Sequence, residues 1–597
     1  MLKTIIGILV LVFPFLLMIK FKDKKIGFAY ILTYVIAFQL IIAIFTQALR
    51  IFSYQIILGI NLVIIIIIVY KSKLLDEIRR IRNFSIDWIL ILMMIIAFLH
   101  LFSVHYNYSG LVTVFDGSNR ISKEVKHMNY PYPYVADEWY AITFAKYSIS
   151  FQSLPFVNPL MQNTPFFNLE FPFHSFIADL LLILDLNPLT GYTKLTIISG
   201  LLICGLIYLF LRINRINKYA AAIASLSELY VTNGANLAGI WTLIPLIPGI
   251  IMLILFLIFL YLNKMRMILL ALFFTLLFYP PLVIFCALAL VTKFITSELP
   301  DKEKIKQLSY YLVATIIAAL IFLLGFYLMN KTFNNFFGYF WSSKIVYPSL
   351  TKEYIPNFLL LQIIPWFILI LLTIGVTSYS AKKLWLVNLL MLGLVYWGLY
   401  SFWAFRFIIE FERVIVVTAI LMVIFSGFGL NSIIDFLKTI SFFKKNKIVE
   451  YVLIGVMLLF LVYLPHYTSR DNWMELRLVN TENNMITNPA APANQYLQEE
   501  DLIMFKGIKQ KVFLSNPWKG TVIGVATDNY ASETKEGTIS NYPGLYDGFI
   551  KANCEEKRLI AQKNKIDYAY SQEIVCPAFE LVGKSGEGFY LYKVLKD

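Results

Sequence analysis

Two adjacent carboxylates, Asp137 and Glu138, lie in the aromatic stretch YVADEWYAITFA at positions 134–145. Neighbouring carboxylates in a partly dry setting repel each other, which raises the pKa of one of them. Such a group can take a proton from a hydroxyl as that hydroxyl attacks a substrate. Acids in the first turn of a helix also complement its dipole, which is the structural alternative. The pair is therefore a candidate for general-base catalysis.

The composition indicates that this stretch belongs to a membrane protein. Of 597 residues, 59% are hydrophobic and 15% are charged, whereas an ordinary soluble domain has about 25% charged residues. Repeated apolar runs of roughly 17–25 residues predict a polytopic α-helical protein with about 14 transmembrane helices. The predicted spans are 4–19, 26–47, 53–70, 86–104, 192–212, 219–234, 238–262, 266–279, 281–297, 309–330, 355–378, 384–404, 412–432 and 450–465. The pair of spans around Pro280 is either two short helices or one kinked helix, because proline interrupts the helical hydrogen-bond ladder.

The distribution of basic residues predicts the orientation of these spans. The formal net charge is +14, but the basic residues form short clusters between apolar runs, which orient membrane helices and argue against nucleic-acid binding. With the predicted spans, all the clusters fall on the cytoplasmic side, at 20–25, 71–82, 212–218, 264–266, 302–306, 382–383 and 444–447. We therefore expect a multi-pass protein of the plasma membrane in which the loop 105–191 and the segment 466–597 are extracytoplasmic.

The acid pair is expected to open an amphipathic helix. Tyr140, Phe144 and Tyr147 share one face at helical spacing, and Trp and Tyr favour the headgroup depth of a bilayer. We predict that this helix lies in the membrane interface. The sequence Phe171-Pro-Phe-His174 then opens the apolar run 175–186, which is short for a span and is expected to be re-entrant or to pack on the next span.

The last part of the chain, 466–597, is predicted to form a small α/β domain outside the membrane. A helix is expected within 495–508, strands within 511–515 and 520–525, and a hairpin within 579–594. Cys554 and Cys576 lie in this part, where an oxidising compartment would allow a disulfide between them. Cys204 and Cys286 lie in apolar helices and are expected to be packing residues.

Arginine side chains near an external helix end are candidates for binding a phosphate. Arg406 and Arg413 stand in the sequence FRFIIEFER at 405–413, beside Glu410 and Glu412. External arginines run against the positive-inside rule, and a guanidinium fork suits phosphate. The alternative is an internal ion pair, such as Arg413 with Glu410, that anchors a helix end.

Four further residues are candidates for substrate contacts. His174 could bind the acceptor or serve only as a structural histidine. Lys344 and Tyr347 lie in the aromatic loop 331–354, which could cover a lipid donor or form an aromatic belt. Glu228 lies in an apolar run, where an acid is a functional candidate by default. The sequence contains no motif with the spacing of a structural metal site.

The stretch Asp137-Glu138-Trp-Tyr140-Ala-Ile-Thr-Phe-Ala145 resembles the start of the first external loop in membrane glycosyltransferases of the GT-C superfamily. Protein O-mannosyltransferases and bacterial aminoarabinose transferases are nearest in pattern. The layout continues over roughly 86–597, with the element at 171–174, further spans and an external tail. In two respects the chain departs from that pattern: Phe-Pro-Phe-His replaces a Lys-Pro-Pro type sequence, and 1–85 adds three spans.

The resemblance implies a GT-C type transmembrane catalytic domain over 86–465. It further implies transfer of a sugar from a polyprenyl-phosphate carrier to an extracytoplasmic protein or glycolipid acceptor. Asp137 would deprotonate the acceptor hydroxyl as it attacks the anomeric carbon opposite the leaving phosphate, with inversion. Glu138 would position the acceptor, hold a cation or tune the base. No cofactor is certain, and a divalent cation, Mg or Mn, is left open.

Two other functions are compatible with the sequence. A transporter or flippase of lipid-linked sugars would also be a helical membrane protein, but such proteins often show paired halves, which we do not find in the sequence. An oligosaccharide transferase or ligase that uses a pyrophosphate-linked glycan typically needs acidic metal ligands in a second external loop. The loop 331–354 offers only Glu353 for that role.

Overall fold

The computed structural model of the protein describes residues 2–18, 24–72, 87–117, 119–231, 240–296, 301–336, 338, 347–352, 364–378, 384–403, 405–408, 411–440, 448–467, 479–480, 485–486, 493–534 and 544–595. Helices make up most of this part of the chain. They are α1 (Leu2–Met18), α2 (Lys24–Ala48), α3 (Tyr54–Ser72), α4 (Trp88–Tyr106), α5 (Ala136–Phe151), α6 (Phe171–Ile183), α7 (Pro188–Ile213), α8 (Lys218–Ser227), α9 (Leu246–Tyr261), α10 (Met265–Phe278), α11 (Val283–Thr296), α12 (Asp301–Asn330), α13 (Trp366–Ser378), α14 (Leu384–Trp403), α15 (Phe411–Thr439), α16 (Ile448–Tyr467), α17 (Glu499–Met504), α18 (Pro517–Thr527), α19 (Leu545–Lys551) and α20 (Cys554–Lys563).

Strands occur mainly beside α4 and in the last part of the chain. They are β1 (Tyr108–Asp116), β2 (Asn119–Met128), β3 (Val157–Asn158), β4 (Thr164–Pro165), β5 (Tyr347–Lys352), β6 (Phe405–Ile408), β7 (Val479–Asn480), β8 (Met485–Ile486), β9 (Ala493–Asn494), β10 (Val512–Ser515), β11 (Tyr530–Ala531), β12 (Tyr568–Ser571), β13 (Phe579–Lys584) and β14 (Tyr590–Val594).

Five of the described helices are long and apolar enough to cross a bilayer. They contain the stretches Gly27–Ala48, Trp88–Tyr106, Pro188–Ile213, Leu308–Asn330 and Arg413–Thr439. The shorter apolar helices of the described part have 10–17 residues. The helices agree with a membrane protein, while the count of about 14 spans and the orientation of the chain stay predictions.

The chain around Pro280 forms two helices rather than one kinked helix. Helix α10 ends at Phe278, a single 3-10 turn covers Pro280–Leu282, and α11 begins at Val283. Tyr279 between them is extended, with φ −150° and ψ 90°. The ring of a proline clashes with the preceding residue when that residue is helical, so the helix is interrupted at Tyr279, immediately before Pro280.

Glycines allow α13 and α15 to cross in direct backbone contact. A methyl group on Gly375 would overlap the carbonyl oxygen of Phe425, and one on Gly429 would overlap the carbonyl oxygen of Leu371. Small residues at such crossings let two backbones approach closely in a membrane protein. Helix α15 is buried along most of its length, so this crossing joins α13 to a buried helix.

The first three helices pack against α6. Ser175 on α6 donates a hydrogen bond of 2.7 Å to Gln47 on α2, and Gln39 on α2 donates one of 2.7 Å to Asn61 on α3. The sequence predicts that the run 175–186 packs on the next span or is re-entrant, whereas α6 packs mainly against α2 and α5. The additional helices therefore support the element that follows the acidic stretch.

Helix α5 confirms the helix predicted after the acid pair, but its surroundings differ from the prediction. Trp139 is 1% exposed and Phe144 is 2% exposed. The helix packs against α6 on one side and against α18 on another. It is enclosed by protein, because its apolar side chains recur on more than the one face that an interfacial helix would bury.

The strands β1 and β2 form an antiparallel hairpin that stands at the end of α4. Strand β9 pairs in parallel with the other side of β1, which gives the order β2-β1-β9. Val112 and Val114 on β1 pack against Tyr130 and Tyr134, which lead into α5. The hairpin is thus joined both to α4 and to the start of α5.

The last part of the chain contains a mixed five-stranded sheet in the order β11-β10-β12-β14-β13. Strand β10 is parallel to β11 and β12, and β14 is antiparallel to β12 and β13. The predicted hairpin within 579–594 is confirmed as β13 and β14, and the predicted strand within 511–515 is confirmed as β10. Only Glu499–Met504 of the helix expected within 495–508 is helical.

The strand predicted within 520–525 is wrong, because these residues belong to α18. Asn516 accepts a hydrogen bond from the backbone of Trp518, and Pro517 occupies the first helical position. Asn followed by Pro is a helix-start signal that outweighs the β propensity of Val522 and Ile523. Both of these side chains are buried.

The tip of the hairpin inserts into the last part of the chain. The backbone of Phe115 donates to Glu587 Oε1 over 3.3 Å, and that of Gly117 donates to the Glu587 carbonyl over 2.6 Å. Lys519, which is fully buried, pairs with Asp501 at 2.7 Å and with Glu587. These contacts lie at the carboxyl ends of the parallel strands β10 and β12, where open α/β sheets commonly have their crevice.

The structure joins Cys554 and Cys576 in a disulfide, with a Cα–Cα distance of 5.4 Å. The bridge links the first turn of α20 to the segment before β13. Cys204 and Cys286 are free and buried in helices of the bundle.

Candidate active site at the start of helix α5

The two acids of the first turn of α5 lie in different environments. The carboxyl group of Asp137 is exposed, whereas Glu138 is only 1% exposed. The residue before the helix, Val135, is extended and offers no side-chain cap. Asp137 is therefore the acid of this pair that a substrate can reach.

Glu138 is held by backbone and hydroxyl donors from two other elements. Its Oε1 accepts a hydrogen bond of 2.8 Å from the backbone of Leu243 and one of 3.5 Å from the hydroxyl of Thr196 on α7. Burial raises the pKa of Glu138 to about 8, the charge of Asp137 adds to the rise, and the hydrogen bonds from Leu243 and Val135 oppose it. Glu138 thus fixes the start of α5 against α7 and the segment before α9.

A third acid, Glu170, shares the neighbourhood of the pair. The hydroxyl of Tyr192, near the start of α7, lies within electrostatic range of Glu138, Glu170 and Asp137. The side chain of Glu170 is 37% exposed. Sequence reasoning missed this residue, although its position immediately before α6 and the preceding Asn168 marked it as a helix-start acid.

His174 serves the packing of α5 against α6. It is 2% exposed, its Nδ1 lies 2.7 Å from Asn168 Nδ2, and its ring stacks on Phe144 with centroids 4.7 Å apart. Its Nε2 lies 3.9 Å from Glu170. One ring nitrogen is hydrogen-bonded, one ring face is stacked and the side chain is buried, so the geometry suits the structural role better than acceptor binding.

The last part of the chain reaches the same helix. The hydroxyl of Tyr140 on α5 lies close to Thr521 and Thr534, and burial raises the pKa of Tyr140 to about 12. Lys146, two turns further, lies 2.5 Å from Asp528 and 2.6 Å from the carbonyl oxygen of Val525. The segment 521–534 therefore lies along α5 from Tyr140, one turn after Asp137, to Lys146.

The structure brings together the backbones that carry two other candidates. Strands β5 and β6 pair antiparallel, with Tyr347 opposite Ile408 and Thr351 opposite Arg406. The loop 331–354 and the arginine-bearing segment thus meet. Arg413 is partly buried at the start of α15. Lys344, Glu353 and Glu410 lie outside the described residues.

Glu228 belongs to another part of the bundle. It lies in a 3-10 turn after α8, is 2% exposed, and acts electrostatically on the sulfur of Cys204 on α7. Its Oε2 has no hydrogen-bond partner within the described part of the chain. No contact that we find among the described residues connects it to Asp137.

Within the ranges that the structure describes, no group of three or more His, Cys, Asp and Glu side chains could hold a metal ion. Asp137, Glu138 and Glu170 differ in exposure and do not form a preassembled set of ligands.

No protein-family model and no curated protein matches the chain. Among solved structures, it is similar to the oligosaccharyltransferase of Archaeoglobus fulgidus in its apo form, at 13% identity and a TM-score of 0.46, covering 81% of this chain and 69% of that one. The same enzyme tethered to an acceptor peptide with the NVT sequon is similar at 13% identity and a TM-score of 0.45, covering 85% of this chain and 74% of that one. Its complex, as AglB, with an inhibitory peptide and a dolichol-phosphate is similar at 12% identity and a TM-score of 0.44, covering 81% of this chain and 69% of that one. Similarity at this level assigns neither a family nor an activity to the chain.

Proposed function

We propose that the protein is an inverting glycosyltransferase of GT-C type, which transfers a sugar from a polyprenyl-phosphate carrier to an acceptor hydroxyl. The observation that carries this proposal is the contrast between the exposed Asp137 and the buried Glu138 in one helical turn. Neighbouring titratable groups in such different environments are typical of acid–base sites. Asp137 is the proposed general base.

Glu138 favours this role for its neighbour. With a pKa of about 8, Glu138 is mostly protonated at neutral pH. A neutral Glu138 places no second negative charge beside Asp137, whose carboxylate is the group that general-base catalysis requires. Glu138 acts as a positioning residue, because its carboxyl group is turned toward Leu243 and Thr196.

The reaction follows from the position of the base. The carboxylate of Asp137 accepts the proton of the acceptor hydroxyl, and the hydroxyl oxygen forms a bond to the anomeric carbon. The bond from that carbon to the phosphate oxygen breaks on the opposite face, and its electron pair leaves with the polyprenyl phosphate. The configuration inverts because the new bond and the broken bond lie on opposite faces.

The leaving phosphate already carries charge and needs electrostatic stabilisation rather than a proton. We assign this task to Arg406 and Arg413, whose segment pairs with the strand that carries Tyr347. Lys344 is a further candidate for the phosphate. A guanidinium presents several donors in a fork that matches phosphate oxygens.

The proposed enzyme lies in the plasma membrane with its site on the extracytoplasmic side. The domain 466–597 would cover the site from outside, and 1–85 would add helices that support α6. The disulfide between Cys554 and Cys576 supports this orientation, since disulfides persist in oxidising compartments.

The experiment that tests the proposal measures release of polyprenyl phosphate. The purified protein in lipid nanodiscs receives polyprenyl-phosphate sugars with peptide or glycolipid acceptors. Asp137→Asn should lower the release by about 10²–10⁴-fold, the usual contribution of a general base. Asp547→Asn is the matched control, because Asp547 is also an exposed acid in the first turn of a helix.

Normal turnover by Asp137→Asn would overturn the assignment of the base. Movement of lipid-linked sugar across vesicles without formation of a glycosidic bond would make the protein a transporter instead. Release from pyrophosphate-linked glycans, with none from monophosphate carriers, would point to an oligosaccharide transferase.

A further inference from the structure

In the described part of the chain, the strand β2, whose hairpin leads into α5, has an outer edge with which no other strand pairs. It is the outer strand of its sheet among the described residues, since β1 lies on one side only. Its residues 119, 120, 121, 123, 124, 126 and 127 are exposed. An exposed edge strand carries a row of free N–H and C=O groups that can pair with another extended chain.

The register shows which backbone groups are free. Thr113 on β1 accepts a hydrogen bond of 2.9 Å from Gln495 on the β9 side, so its polar groups point away from β2. Ser122 is its partner on β2. In an antiparallel pair, the backbone N–H and C=O groups of two opposed residues either both point toward the partner strand or both point away from it. These two kinds of pair alternate along the strand. The backbone groups of Arg120, Ser122 and Glu124 therefore point outward from the sheet.

The hairpin is held in place before any ligand arrives. Its tip is hydrogen-bonded to Glu587 through Phe115 and Gly117, and β9 braces the other side of β1. Arg120 stacks on Trp518 at 5.3 Å. A preformed edge costs a binding partner less entropy than a loop that must first be ordered.

The charge of the edge favours an acidic partner. Arg120, Lys123 and Lys126 are basic, and Glu124 is the acid among them. A strand laid along this edge would place alternate side chains on each face of the sheet, with Lys123 on one face and Arg120 on the other. Acidic side chains on the added strand would therefore meet basic partners across both faces.

A second copy of the chain does not suit this edge. Strand β1 leaves the end of the apolar helix α4, and β2 returns toward it. A copy paired antiparallel would have its own α4 at the opposite end of the strand, roughly 30 Å away for a strand of this length. A copy paired in parallel about a two-fold axis along the strand would instead place each outward N–H opposite the same N–H of the other copy.

We propose that the free edge of β2 binds an extended, acidic segment of an acceptor polypeptide by strand addition. The acceptor role rests on the proposed glycosyl transfer, whereas the binding itself does not. The strand ends at Met128, and the chain passes directly through Tyr130 and Tyr134 to Asp137. A polypeptide aligned on β2 is thereby directed toward the start of α5.

The binding test uses a fluorescein-labelled peptide of ten residues, the length of β2, in which pairs of glutamates alternate with pairs of threonines, so that glutamates lie on both faces of the added strand. Fluorescence anisotropy with the full-length protein in nanodiscs reports its affinity. Ser122→Pro should weaken binding about tenfold or more, because proline removes one outward N–H and its ring obstructs the added strand. Proline is tolerated at such a position of an edge strand, since its missing N–H has no partner in the sheet.

Ser122→Ala is the matched control, because it keeps the backbone N–H and should bind like the wild type. Replacing Lys123 and Lys126 together by Gln should weaken binding and reduce its dependence on salt. An unchanged thermal unfolding midpoint of Ser122→Pro shows that the hairpin is intact.

Equal affinity of Ser122→Pro and the wild type, or no binding by the wild type, would overturn the proposal. If the wild type is a dimer and Ser122→Pro dissociates it, the edge of β2 binds a second copy of the chain, and the proposal is overturned as well. In the turnover assay, Ser122→Pro should raise KM for a serine-containing acidic peptide and leave kcat and short glycolipid acceptors unchanged. The protein could bind the peptide, lose affinity with Ser122→Pro, and release no polyprenyl phosphate. This result would overturn the proposed glycosyl transfer but support the binding of a peptide at the edge of β2.

Discussion

Asp137 and Glu138 are neighbours in the chain, but one carboxyl group meets solvent and the other is enclosed. The sequence identifies the pair and the helix it opens, because acids before an aromatic helical pattern are a local signal. It cannot separate the two roles, because the groups that enclose Glu138 come from Thr196 and Leu243, more than fifty residues away.

The buried acid makes the stability of the protein depend on pH. Folding raises the pKa of Glu138 from 4.5 to about 8. Below pH 4.5 both states hold the proton, and between these values only the folded state holds it. Stability should therefore fall as pH rises from about 4.5 to about 8, by at most about 1.4 kcal/mol per pH unit.

Thermal unfolding midpoints across this pH range measure the effect. Glu138→Gln carries no titratable proton and should flatten the slope. Asp547→Asn, at an exposed acid, should keep the slope of the wild type. A slope that Glu138→Gln leaves intact would assign the pH dependence to other groups.

Individual elements were predictable where their signals are local. The hairpin 579–594 shows alternating residues around a glycine-containing turn, and the structure has β13 and β14 there. The strand predicted within 520–525 was wrong because Val522, Ile523 and Val525 favour strands, whereas Asn516 and Pro517 start a helix. The surroundings of α5 were not predictable, because α18 reaches it from nearly four hundred residues along the chain.

The crossing of α13 and α15 gives a prediction for the helical bundle. Gly375→Val should push the two backbones apart, because its side chain would overlap the carbonyl oxygen of Phe425. Overpacking of this kind costs about 1–3 kcal/mol or more. The loss should appear as a lower thermal unfolding midpoint in detergent.

Gly59→Val on α3 is the matched control, since no atom lies within 4 Å of the position of the added Cβ. It should leave the midpoint nearly unchanged. Equal effects of the two substitutions would mean that helix propensity, rather than the close crossing, determines the loss.

The whole molecule is organised by contacts between the hairpin after α4 and the last part of the chain. Lys519 lies at the centre of these contacts, with Asp501, Glu587 and the ring of Phe115 around it. Tyr570 donates a further hydrogen bond to Asp501. Such a network couples two parts of the sequence that are far apart, which no local pattern can reveal.

Removal of the buried cation should loosen the last part of the chain. Lys519→Met leaves Asp501 and Glu587 buried without their partner, which typically costs about 3–5 kcal/mol. Limited proteolysis should then cleave 493–595 faster than in the wild type. Lys509→Met, at an exposed lysine, should be cleaved at the wild-type rate, and equal rates for both variants would contradict the role of the network.

The contacts between the hairpin β1–β2 and the last part of the chain also determine the order in which these parts can fold during synthesis. The hydrogen bond from Leu497 to the hydroxyl of Tyr130 joins residues that are 367 positions apart. At about 5–20 residues per second, the ribosome needs roughly 20–70 s to complete that distance. Throughout this interval both edges of the hairpin stand open, and the lysines on β2 then discourage aggregation of nascent chains. The contacts that complete the region around Asp137 therefore form only after residue 497 has been synthesised.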